Sequence, residues 1–157
     1  MQHINFNNIG KICYGPGSFL QLGEIIEPRR ADNKGYMVFI VDDYFEGKEL
    51  ANKIPKQHND RVYFIDASHD EPKTSQIDEL RDELLIDQGL PSGIIGIGGG
   101  SIMDIAKALS LMVTNEGSSV LYQGLNLIKK PGIYHCGVPT ISGTGAECSM
   151  TAVLSGP

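Results

Sequence analysis

Four short apolar runs separated by helical patterns constrain this chain more than any other feature. "YMVFIV" (36–41), "RVYFI" (61–65), "GIIGI" (93–97) and "IYHCGV" (133–138) are rich in β-branched and aromatic residues and read as buried strands. Leu20, Ile25 and Ile26 suggest a first helix, opened by Ser18 with Gln21 three residues on as a capping box. A short helix is expected around 46–53. Ile77, Leu80, Leu84 and Leu85 share one face of a helix begun at Thr74 or Ser75 and stopped at Gly89 to Pro91. Ile102, Ile105, Ala106, Leu109, Met112 and Val113 keep the i, i+3, i+4, i+7 spacing of another. Strands alternating with helices pair in parallel through crossovers. The expected fold is therefore α/β, a Rossmann-like open parallel sheet with helices on both faces.

In such sheets ligands bind beyond the carboxyl ends of the strands. Three segments fall there. In "IGIGGGSIMD", Gly98, Gly99 and Gly100 can take φ > 0 and bring bare backbone close to a ligand. The helix behind them offers free N–H groups and a positive dipole end, a setting for pyrophosphate. Ser101 and Asp104 form an [ST]-x-x-[DE] box, so a plain capped turn is the competing reading. In "GVPTISGTGAE" (137–147), Thr140, Ser142 and Thr144 stand among glycines and suit phosphate or ribose contacts, or only a flexible loop. In "FIVDDYF", Asp42 and Asp43 are both placed to accept from an adenosine ribose, or to form a solvated turn.

Other chemistries lack residues. His3, His58, His69 and His135 form no metal-ligand pair, and His135 with Cys136 lies inside an apolar strand as core. Cys13, Cys136 and Cys148 fit neither a disulfide ladder nor a zinc spacing, and read as small buried hydrophobes in a reducing cytoplasm. A net charge of −6 disfavours nucleic acid as a partner, and no run is long enough to cross a membrane. The N-terminus has no signal-peptide pattern.

"GGGSIMDIAKA" resembles the GGGSxxDxAKA signature of the iron-containing (group III) alcohol dehydrogenases, and "VPTISGTGAE" resembles their PTTAGTGSE loop. "YGPGSFLQLGEI" and "FIVDD" are similar to the family's opening segment and first dinucleotide-binding strand, while "DEPKTSQIDE" stands in place of its PNPT segment. The resemblance implies a dehydroquinate synthase-like fold with residues 1–157 as its dinucleotide-binding domain. A helical, metal-binding C-terminal domain is expected beyond it. Gly98, Gly99, Gly100 and Ser101 would wrap the pyrophosphate of NAD or NADP, with Asp104 near the nicotinamide ribose. Thr140 and Thr144 would touch the cofactor from the second loop, and Asp43 would bind the adenosine ribose and favour NAD.

The family's divalent metal (iron, zinc or cobalt) is held by one aspartate and three histidines of that C-terminal domain. The implied activity is hydride transfer between a small-molecule alcohol and the nicotinamide, in a cytoplasmic homodimer paired through residues 1–15. The chain alone is expected to be inactive. "YQGLNLIKKPGIYHCGVPTISGTGAECSMTAVLSGP" is most similar to the subgroup that oxidises the C8 alcohol of 3-deoxy-octulosonate (Kdo). The alternatives are a stand-alone nucleotide-binding module without catalysis, and a sugar-phosphate dehydrogenase or dehydroquinate synthase relative.

Overall fold

The computed structural model describes residues 9–33, 35–68 and 71–156. His3 and His69 lie outside them, as does the first half of the 1–15 segment; residues 9–15 form no strand.

The apolar runs become four parallel strands: β1 (Met37–Asp42), β2 (Arg61–Ile65), β3 (Gly93–Gly98) and β4 (Tyr134–Pro139). Their order across the sheet is β2-β1-β3-β4. The helices are α1 (Leu22–Asn33), α2 (Glu49–Asn52), α3 (Thr74–Asp87) and α4 (Gly100–Met112). They cover both faces of the sheet, as the alternation requires.

Alternation within β1 shows how. Met37, Phe39 and Val41 pack with Leu22 and Ile26 of α1 and with Ile54 just beyond α2. Val38 and Ile40 pack on the other side, against Ile77 and Leu84 of α3 and the stripe of α4. Both central strands are buried on both faces, so they read as continuous apolar runs, not alternating ones.

The start of the first helix differs from the expectation. The first helix does not open on a Ser18–Gln21 capping box; those residues form a single 3-10 turn behind Gly17, which has a left-handed φ of 80° and no side-chain cap. Leu20 consequently points to solvent, and Leu22 takes the core position. Immediately before β2, Asp60 ties α1 to the start of β1. Its carboxylate accepts from Arg30 Nη1 and Nη2 at 2.7 and 2.6 Å, Met37 N at 2.8 Å and Gln57 N at 2.6 Å. Burial pushes the Asp60 carboxyl up, but Arg30 and the two amides outweigh it and hold the pKa below the usual carboxylate value.

The cysteines are all free, with Cys13 and Cys136 half-buried. Cys148 is exposed, against the expectation of a buried hydrophobe, because the turn that carries it (Ala146–Cys148) buries Ala146 instead.

Candidate functional site

The strand order reverses between β1 and β3. From β1 the chain crosses to β2 on one side, then returns over β1 to β3 and continues to β4. In an open parallel sheet this switch leaves a crevice beyond the two carboxyl ends. Asp42 closes β1 and Gly98 closes β3 at the same level, since Val41 and Ile97 are partners in register. A Cβ added at Gly98 would stand 3.1 Å from Asp42 Cβ and 2.7 Å from Ile102 Cγ1. The glycine is therefore required by close approach of the chain to itself.

The glycine turn is shorter than the sequence pattern implied. Strand β3 ends at Gly98, Gly99 is the N-cap and α4 has begun by Gly100. None of the three has a positive φ, so the left-handed conformations expected of them do not occur. In the threonine loop after β4, Gly143 (φ 127°) and Gly145 (φ 64°) do have a positive φ. Nor does Ser101 cap the helix: it already lies inside the first turn, and the N-cap, Gly99, has no side chain to offer its amides. The first-turn amides are thereby left to whatever sits before them.

The threonine loop lies against this turn. Thr140 N donates to Gly98 O at 2.9 Å, directly tying the end of β4 to the end of β3. A Cβ at Gly99 would meet Ile141 Cδ1 at 2.9 Å, and one at Gly100 would meet Thr144 Cγ2 at 3.0 Å. Thr144 Oγ1 accepts from Ala146 N at 3.3 Å, which shapes the turn and leaves its hydroxyl proton free to donate. Gly98, Gly99, Gly100, Ser101, Thr140 and Thr144 thus converge on one edge, with Asp42 flanking them.

Asp43 lies one residue beyond the strand, exposed, at the start of a 3-10 turn. Asp42 is the carboxylate nearer the glycines, and its Oδ1 is engaged by Tyr44 N at 3.1 Å. Asp104 is buried in α4, with Oδ1 accepting from Lys107 Nζ at 3.1 Å and Oδ2 from Val153 N at 3.0 Å. The [ST]-x-x-[DE] reading of Asp104 therefore fails; its partners lie elsewhere. Lys107 was not singled out by motif reasoning. The available signal was a lysine and an aspartate at i, i+3 on a helix whose other residues are apolar or small.

His135 faces α4 from β4. Burial first, and then the Lys107 ammonium, lower its pKa from 6.5 to about 4, so it is neutral at physiological pH. Its Nε2 is buried without a hydrogen-bond partner among the described residues. Among the described residues no group of three or more His, Cys, Asp or Glu side chains converges on a metal position. These residues do not by themselves fit the divalent metal that the resemblance implies. No helix among them is long and apolar enough to cross a membrane.

The family model of iron-containing alcohol dehydrogenases matches residues 10–157. The chain belongs to the iron-containing alcohol dehydrogenase family. It is similar to the NAD-dependent methanol dehydrogenase of Bacillus methanolicus, 34% identical over 108 residues, covering 69% of this chain and 28% of that protein. It is also similar to the sulfoacetaldehyde reductase of Bilophila wadsworthia, 45% identical over 62 residues, covering 40% of this chain and 16% of that one. Among solved structures, sulfoacetaldehyde reductase from Bifidobacterium kashiwanohense in complex with NAD+ superposes with a TM-score of 0.78 at 19% identity. That match covers 99% of this chain and 41% of that one. The NADH-dependent butanol dehydrogenase A of Thermotoga maritima gives 0.77 at 23% identity, over 99% and 39% of the two chains. These structures establish the fold. The chain spans between a sixth and two fifths of the length of these relatives.

Proposed function

We propose that residues 1–157 form the dinucleotide-binding domain of a nicotinamide-dependent alcohol oxidoreductase. The observation that carries this reading is the uncapped α4 N-terminus at the switch between β1 and β3, faced by the threonine loop. The amides of Gly100 and Ser101 and the positive end of α4 would take the pyrophosphate. Gly98 and Gly99 keep the backbone bare of Cβ atoms there, and Thr140 and Thr144 would donate from the opposite side. Asp43, exposed beyond β1, would accept from the adenosine ribose hydroxyls and repel the extra phosphate of NADP. Asp104, assigned by resemblance to the nicotinamide ribose, would reach it only by sharing oxygens already bonded to Lys107 and Val153.

The bound nicotinamide would supply the hydride acceptor for an alcohol. This chain's residues bind and orient it. The divalent metal of the family would be held by residues other than those described, in the helical C-terminal domain that the resemblance implies, and the reading routes no step through it. For the substrate, the wording of residues 122–157 supports Kdo as the first alcohol to test, and a homodimer is the proposed assembly. Calorimetric titration with NAD and NADP tests the reading. Saturable NAD binding, weaker for NADP, is expected; absence of binding by both overturns it.

A further inference from the structure

The loop that carries Thr140 and Thr144 has little packing of its own. Residues 141–145 are exposed, and two of the five are left-handed glycines. Its start is tied to β3 through Thr140 N and Gly98 O. Its far end is tied to α4. Lys107 Nζ donates to Ser149 Oγ at 2.9 Å and to Thr151 O at 2.5 Å, while also pairing with Asp104 Oδ1. Asp104 Oδ2 accepts from Val153 N. Ala146, between loop and tie, is buried in the cluster that α4 forms with the sheet.

An aspartate and a lysine buried on an apolar helix have a desolvation cost, so their position calls for a reason. Helix propensity supplies none, and neither side chain caps the helix. What they hold is the segment 149–153. We infer that Asp104 and Lys107 are positioning residues, a buried clamp that fixes the threonine loop over the glycine turn. This rests on the reading of that edge as the cofactor site. Both residues sit within two turns of the N-terminus of α4, the helix whose first amides face the pyrophosphate position. One rigid helix then carries one side of the cradle and holds the other side in register. A second tie further on, Ser155 N to Pro72 O and Thr74 N to Ser155 O, bounds the clamped segment at 155.

The test combines hydrogen exchange with cofactor affinity in the purified protein carrying Lys107→Met or Ser149→Ala. The first variant removes the hub. The second removes one exposed acceptor and leaves the core intact, so it remains informative if the first folds poorly. In Lys107→Met, amides within 141–153 are expected to exchange at least about tenfold faster, and NAD binding to weaken about tenfold. Ser149→Ala is expected to move both in the same direction by about fivefold or less. Unchanged exchange in both variants overturns the clamp. Faster exchange with unchanged NAD affinity overturns the positioning role, and weaker affinity with unchanged exchange assigns a direct cofactor contact instead. If the wild-type protein binds neither NAD nor NADP, the cofactor reading fails and the clamp stands or falls on exchange alone.

Discussion

Substituting alanine at two glycines two residues apart should separate folding from binding. In Gly98→Ala the new methyl would lie 2.7 Å from Ile102 Cγ1 and 2.8 Å from Ile102 Cβ. Carbon atoms in contact prefer about 3.5–4.0 Å, so the overlap approaches 1 Å. Ile102 cannot retreat: it is fully buried and fixed by α4. Overpacking of this kind costs about 1–3 kcal/mol, and the reduced entropy of the unfolded chain returns about 0.5 kcal/mol. In Gly100→Ala the methyl meets Thr144 Cγ2 at 3.0 Å, and Thr144 is an exposed side chain on a loop that can yield. Alanine also favours the helix by up to about 1 kcal/mol, so the net stability change should be near zero. On the proposed reading the cofactor should feel it, because the methyl and the displaced threonine would both intrude on the proposed pyrophosphate position. A loss of about tenfold in NAD affinity is expected.

Urea unfolding at constant m-value and NAD calorimetry on the same preparations provide the assay. The expected result is a destabilised Gly98→Ala and a stable Gly100→Ala that binds NAD poorly. Equal destabilisation in both, or a Gly98→Ala as stable as wild type, would refute the reasoning. Ile102 would then not abut the strand end, and the glycines would be interchangeable turn residues.

Further outcomes follow from the ionisable groups. Arg30→Met leaves the Asp60 carboxylate, whose side chain is 1% exposed, with only its two amide donors; unfolding should become easier by about 3 kcal/mol in a denaturant titration. The lowered Asp60 pKa contributes stability that is present above the ordinary carboxylate range and lost as pH falls through the folded value. For His135 the folded pKa of about 4 lies below 6.5, so the unfolded chain binds the proton first. Stability should be constant above pH 7 and fall by about 3 kcal/mol between pH 6.5 and 4, a loss that His135→Leu abolishes in pH-dependent unfolding curves. Cys148, exposed, should react with a thiol reagent at neutral pH before Cys136, whose thiol pKa is raised chiefly by burial; mass mapping of the first labelled cysteine decides this.

The apolar runs and the helical stripe at Ile102–Val113 were legible from residue order, because burying them admits few arrangements of short strands and long helices. Residue order also placed the glycine and threonine loops after strands, and hence at one edge of the sheet. Local capping rules failed at two helix starts. Ser18 and Ser101 satisfy capping patterns, yet Gly17 and Gly99 occupy the N-cap positions. At Gly99 the reason is spacing: a single residue separates β3 from α4, and Ser101 has already entered the helix.

Asp104 shows the limit most clearly, since its backbone partner at Val153 is 49 residues away. No window along the chain could contain both. The sequence by itself determined that this protein is a parallel α/β sheet with a glycine loop and a threonine loop at one edge. Which glycines touch which side chains, and what the buried Asp104 and Lys107 hold, were decided only when the sheet brought residues 98–107 and 140–153 together. Hydrogen bonds and steric contacts act over a few ångströms, and only the tertiary fold brings such distant segments within that range.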